Sequence, residues 1–177
     1  MRAILSISRR CGFTDSRAHR ASAGHIKRGI SLTEQLAQLK AAGFLEVGHW
    51  ELDSNRQPRF VGQAPGEPGV YAIIVNGGVC YIGCAQRGIH RRFRKYNNPD
   101  NKGAVAIRVR GYITEALSSD AKVNVLALKT ISEPVPWNGL PLDLIAGLEE
   151  GLIRQMQPAW NRRGLAALRK IALLNSN

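Results

Sequence analysis

The chain has 177 residues, of which 44% are hydrophobic, which corresponds to one domain with a buried core and a small appendage. No stretch approaches the roughly 20 apolar residues that cross a bilayer, and three cysteines without a CxxC pair argue against a disulfide scaffold or a thiolate zinc site. The formal net charge of +12 indicates a polyanionic partner, either nucleic acid or an anionic membrane surface.

The first 28 residues form a basic segment with seven Lys and Arg and one acid. They show no sustained helical or strand periodicity, so we expect a largely disordered arm. The segment is either a flexible arm that adds affinity for phosphates, a mitochondrial transit peptide, or sequence upstream of a later start codon. The expected location is the bacterial cytoplasm. If the segment is a transit peptide, the expected location is the mitochondrion.

Residues 29–68 predict a small helix–strand unit and a linker. Ser31 and Glu34 have the spacing of a capping box, in which each side chain satisfies an amide at the start of a helix. The alternating sequence FLEVGHWEL over 44–52 predicts a strand. The sequence QAPGEP over 63–68 is typical of a turn-rich connector.

A hairpin and a basic helix come next. Residues 69–75 (GVYAIIV) and 79–82 (VCYI) are two predicted strands joined by the tight-turn dipeptide Asn76-Gly77. An apolar stripe at helical spacing follows, formed by Ile89, Phe93 and Tyr96. The remaining faces of this helix carry cations: Arg91, Arg92, Arg94 and Lys95. Because no acid accompanies these cations, we expect this helix to face phosphates.

The last third of the sequence predicts two more helices around a strand. Residues 104–117 favour a helix, although their β-branched content also fits a strand, and residues 122–128 favour a strand. Residues 142–156 predict a helix, with a buried stripe of Ile145, Leu148, Leu152 and Met156. Glu149 lies at the edge of that stripe, where a carboxylate costs free energy unless it is paired with an arginine or binds a cation.

The order of several short motifs resembles the GIY-YIG nuclease family. These are Gly69-Val70-Tyr71, Tyr81-Ile82-Gly83, an arginine on the following helix, Glu149 and Asn161. The stretch from Leu148 to Ile153, followed by Pro158 and Asn161, is similar to that of the repair-incision nucleases in this family. The resemblance divides the chain into a basic arm (1–28), a helix–strand extension with its linker (29–68), a nuclease domain (69–163) and a helical tail (164–177).

The resemblance implies an α+β fold, in which helices flank a small antiparallel sheet, and hydrolysis of DNA phosphodiester bonds with one divalent metal ion. Glu149 would be the sole protein ligand to Mg²⁺ or Mn²⁺. Tyr71 would orient or deprotonate the attacking water, and Tyr81 would donate a hydrogen bond at the scissile phosphate. Orientation is the favoured role, because a tyrosine has an unperturbed pKa of about 10.

The arginine assignment has two alternatives. Counting ten residues from Tyr81 gives Arg91, whereas matching the apolar stripe of the helix gives Arg92, which we favour because packing fixes the face of a helix. Asn161 would tie the backbone around Glu149 or touch a phosphate. The other residues expected to contact substrate are Gly83, by close backbone approach, and Arg87, Arg91, Arg94 and Lys95.

The sequence also leaves an alternative function open. A non-catalytic nucleic-acid-binding module could retain this fold, since binding needs the basic helix but not Glu149. For the enzyme, the resemblance implies a role in repair, recombination or restriction. Cys80 and Cys84 are predicted to be buried, unreactive thiols.

Overall fold

A computed structural model describes residues 31–161 of the chain. The predicted basic arm (1–28) and helical tail (164–177) lie outside the described residues. Within 31–161, no helix is long and apolar enough to cross a membrane.

The described part is an α+β domain, as predicted. Its elements in chain order are α1 (Leu32–Ala41), β1 (Leu45–Leu52), β2 (Pro58–Gly62), β3 (Gly69–Val75), β4 (Gly78–Ala85), α2 (Ile89–Asn97), α3 (Ala104–Ser118), β5 (Val123–Lys129), β6 (Val135–Trp137), β7 (Leu140–Leu142) and α4 (Leu144–Met156). The ambiguous segment at 104–117 is a helix. The short strands β2, β6 and β7 were not predicted.

The main sheet has five strands in the order β2-β1-β5-β3-β4, and all neighbouring strands are antiparallel. Strand β5 lies between β1 and β3, although it follows both in sequence. The helix–strand extension therefore contributes to the same sheet as the predicted hairpin. Strand β4 lies at an edge of this sheet, and this edge holds the candidate site.

Helices cover both faces of the sheet. Successive residues of β3 point to opposite faces, so Tyr71 and Ile73 pack in the core under α2 and α3. Val70 and Ala72 pack on the other side, in the core that includes residues of α1 and α4. Six of the seven residues of β3 are buried, which explains its continuous apolar sequence.

The predicted helix signals are present, with one difference. Ser31 and Glu34 form the capping box. On α4, however, Ile153 is 2% exposed and packs in the core, whereas Leu152 is only partly buried. At 3.6 residues per turn, Ile145, Glu149 and Ile153 share one helix face. Glu149 therefore lies within the packed face of α4, not at its edge as predicted.

Two glycines test opposite effects of an added methyl group. Gly48 has φ +147°, and a Cβ there would lie 2.2 Å from the carbonyl oxygen of Val61. Gly111 lies within α3, and its added Cβ would meet no atom within 4 Å. We expect Gly48→Ala to lower the free energy of unfolding by more than about 1 kcal/mol, and Gly111→Ala to raise it by about 0.5–1 kcal/mol. Urea denaturation measures both, and equal effects would contradict the described β1–β2 packing.

Candidate active site

A cavity of about 410 Å³ opens beside the edge strand β4. The five residues predicted to be catalytic all line it: Tyr71, Tyr81, Arg92, Glu149 and Asn161. They come from β3, β4, α2, α4 and the segment after α4. The fold thus brings together side chains that are far apart in the sequence.

Tyr71 belongs to a cluster of three phenols. Its hydroxyl lies 2.5 Å from that of Tyr96, and its ring centroid lies 6.1 Å from that of Tyr81. The ring of Phe93 meets that of Tyr71 edge to face. From the sequence, we predicted Tyr96 only as part of the apolar stripe of α2. Its position one turn after Arg92, on the same helix face, is the signal that could have placed it at the site.

Burial keeps the phenols protonated. It raises the pKa of Tyr71 well above its ordinary value, the neighbouring Tyr96 and Tyr81 raise it further, and Arg92 opposes the shift only weakly. Burial also raises the pKa of Tyr81. At neutral pH both residues are therefore hydrogen-bonding phenols, which favours orientation of a ligand over removal of a proton.

Gly83 leaves space for two of these rings. A Cβ on Gly83 would lie 2.6 Å from the hydroxyl oxygen of Tyr71 and 2.7 Å from Cε1 of Tyr81, closer than real Cβ atoms approach other atoms. We predicted that Gly83 allows substrate to approach the backbone. In the structure, the groups that approach Gly83 are the tyrosine rings, so its absent side chain is explained by packing.

The two candidate arginines face different surroundings. Arg92 is half-buried and lines the cavity with Glu149, whereas Arg91 is exposed and does not line it. This placement agrees with the helical register that favoured Arg92. A neighbouring cavity of about 360 Å³ is lined by four cations, Arg87, Arg91, Arg92 and Lys95. Arg94 lines a third concave region with Arg91 and Lys95.

Glu149 is hydrogen-bonded to a thiol. Sγ of Cys84 donates to Oε2 of Glu149 across 2.9 Å. Burial and this hydrogen bond raise the pKa of Cys84 to about 12, so the thiol stays protonated. Cys84 is half-buried and lines the cavity. Cys84 is thus less buried than predicted, and its protonated thiol agrees with the predicted lack of reactivity, but its hydrogen bond to Glu149 was not predicted.

Asn161 holds the edge strand. Its Nδ2 donates to the carbonyl oxygen of Ile82 at 2.7 Å, and its Oδ1 accepts from the Ile82 amide at 2.9 Å. Edge strands present unpaired backbone groups, and the Asn161 amide satisfies two of them as a further strand would. We predicted an amide that ties the backbone around Glu149 or touches a phosphate. The backbone that this side chain binds is that of Ile82, between Tyr81 and Gly83, and Asn161 lines the same cavity as Glu149.

The packing around Gly83 gives a test that does not depend on any activity. Gly83→Ala must displace the rings of Tyr71 and Tyr81, so we expect a lower thermal midpoint and a changed near-ultraviolet circular dichroism spectrum. Gly78→Ala is the matched control on the same strand, because its Cβ would make ordinary contacts of 3.5 Å or more. Identical spectra and midpoints for the two variants would contradict the described ring positions.

Comparisons with known proteins support the fold. No protein-family profile and no curated protein matches the chain. The structure is similar to bacteriophage T4 EndoII, solved as a mutant, with a TM-score of 0.58 and 21% identity over 71% of this chain and 96% of that chain. It is also similar to the restriction endonuclease HPY188I in complex with product DNA, with a TM-score of 0.45 and 14% identity over 66% of this chain and 74% of that one. The likeness to EndoII is one of fold: the five-stranded antiparallel sheet and its flanking helices are arranged as in that protein.

Proposed function

We propose that the chain is a GIY-YIG endonuclease that hydrolyses phosphodiester bonds of DNA with the help of a divalent metal ion. The observation that carries the proposal is the cavity in which the carboxylate of Glu149, the guanidinium of Arg92 and the phenols of Tyr71 and Tyr81 come together. A phosphodiester gains negative charge as water attacks it, so these are the groups that its hydrolysis requires.

The charges next to the cavity support a nucleic-acid substrate. Arg92 lines both the cavity and the neighbouring pocket with Arg87, Arg91 and Lys95. Among the described residues, no acid lines that second pocket. A DNA strand that lies across both pockets would place its phosphates beside these cations. One of these phosphates would also lie beside Glu149.

The residues present fit Mg²⁺ or Mn²⁺ bound mainly by water and substrate. Within residues 31–161, no group of three or more His, Cys, Asp or Glu side chains could enclose a metal ion. Mg²⁺ accepts such an arrangement, because it keeps several waters and needs only one or two carboxylates besides phosphate oxygens. When bound at Glu149, the ion would supply Lewis acidity and a more acidic water.

The protein side chains would divide the remaining tasks. Arg92 would hold the phosphate and offset its developing charge. The protonated phenols of Tyr71 and Tyr81 would donate hydrogen bonds to the nucleophilic water and to phosphate oxygens. Asn161 and Gly83 act indirectly, by fixing β4 and by leaving room for the rings. A binding module without catalysis would not require Glu149 beside the tyrosines, so this carboxylate favours the enzyme.

The first functional test replaces the candidate metal ligand. We expect Glu149→Gln to abolish cleavage of supercoiled plasmid with Mg²⁺ while DNA affinity and thermal midpoint stay nearly unchanged, because the amide keeps the shape but loses the charge. Glu150→Gln is the matched control, since Glu150 pairs with Arg154 at the surface, and it should cleave normally. Weaker DNA binding with preserved turnover at saturating substrate would reject the metal-ligand role.

The second test separates the two arginines. Arg92→Ala should lower the single-turnover cleavage rate by roughly 100-fold or more, because a cation at the reacting phosphate stabilises the transition state. Arg91→Ala should instead weaken DNA binding and reduce the slope of log affinity against log salt by about one. Single-turnover assays and salt titrations of both variants measure these effects, and reversed sensitivities would move the catalytic assignment to Arg91.

A further inference from the structure

A second guanidinium reaches the cavity from a different helix. Arg108 lies on α3, and it lines the cavity together with Arg92 from α2 and Glu149 from α4. Arg108 does not stand out in the sequence, because α3 carries another arginine two residues later and no local pattern distinguishes them. Only the fold shows which of the two faces the cavity.

No acid among residues 31–161 forms an ion pair with Arg108. Its Nε has less than 1 Å² of exposed surface and no hydrogen-bond partner. The ion pairs within residues 31–161 are elsewhere, on Glu51, Glu67 and Glu150. Among the described residues that line the cavity, Glu149 is the single acid, and it accepts a hydrogen bond from Cys84.

This arrangement is costly in the free protein. An unpaired donor of a charged group costs free energy when it is withdrawn from water. An anion with several acceptor oxygens removes this cost, and a guanidinium suits a phosphate particularly well because Nε and one Nη donate to two oxygens at once. The unpartnered Nε of Arg108 is one half of such a donor pair.

We propose that Arg108 is a second phosphate-binding position in the cavity, where it donates to non-bridging oxygens of the nucleic-acid phosphate that Arg92 contacts. The inference rests on the proposed function and extends it to this residue. Two guanidiniums from separate helices would hold the phosphate from two directions. Their charges would offset the negative charge that builds on the phosphate oxygens during hydrolysis.

Binding tests the proposal without requiring cleavage. We would titrate a fluorescein-labelled duplex in EDTA over a range of salt concentrations with wild type, Arg108→Gln, Arg108→Lys and Arg110→Gln. Arg110 is the matched control, because it lies on the same helix and donates to the carbonyl oxygen of Asn98. The slope of log affinity against log salt should fall by about one for Arg108→Gln. It should stay at the wild-type value for Arg108→Lys and Arg110→Gln.

Single-turnover cleavage with Mg²⁺ provides the second readout. We expect a loss of roughly 100-fold or more for Arg108→Gln. Arg108→Lys should lose at least about tenfold, since lysine keeps the charge but not the two-oxygen geometry. Arg110→Gln should stay within about twofold of wild type.

The outcomes separate this proposal from the proposed function. One outcome is that the wild type cleaves DNA, but Arg108→Gln and Arg110→Gln have equal salt slopes and equal cleavage rates. This outcome would overturn the role of Arg108 and leave the nuclease function intact. Absence of wild-type cleavage would overturn the nuclease, while the salt slopes would still test Arg108. If Arg108→Gln fails to fold, Arg108→Lys decides, and a wild-type rate for it would overturn the proposal.

Discussion

The pairing of Tyr71 with Gly83 across β3 and β4 is the contact on which the site depends. The two residues are direct partners in the register of the hairpin, and a Cβ on the glycine would collide with the Tyr71 hydroxyl. The turn at Asn76-Gly77, whose residues have φ +48° and +84° as a tight type I′ turn requires, starts the register. The extra residue Cys80, between the pairs Ile74–Val79 and Ile73–Tyr81, then shifts it by one. Without this shift, Tyr81 would point to the face of the sheet opposite to Tyr71.

The electrostatics of the site follow from this packing. Burial against one another keeps Tyr71 and Tyr81 in the neutral form. Among the described residues, Arg92 and Arg108 line the same cavity with one acid, Glu149. The cavity thus combines neutral phenol donors, an excess of positive charge and the carboxylate of Glu149. These groups complement a phosphate and a cation bound together better than either of them alone.

Local patterns predicted most of the elements, and the resemblance to the GIY-YIG nucleases supplied the candidate catalytic residues, but neither gave the order of the strands. The capping box at Ser31, the Asn76-Gly77 turn and the stripe around Phe93 are short-range signals, and each is confirmed. Strand β2 was missed because its five residues, PRFVG, begin with proline and end with glycine. The insertion of β5 between β1 and β3 depends on long-range packing that no local pattern encodes. For the same reason Arg108 was not placed at the site, and neither the bond between Cys84 and Glu149 nor the choice of Ile82 as the partner of Asn161 was predicted.

The most direct test is whether the wild-type chain cleaves DNA and transfers an oxygen atom from water to the new ends. DNA would be incubated with the protein and Mg²⁺ in ¹⁸O-labelled water, and the ends of the products would be analysed by mass spectrometry. If the chain hydrolyses phosphodiester bonds, each new terminal phosphate carries one ¹⁸O atom. Cleavage stops when EDTA removes the metal ion. Tight binding of DNA that remains intact with either metal ion, Mg²⁺ or Mn²⁺, would contradict hydrolysis by this chain.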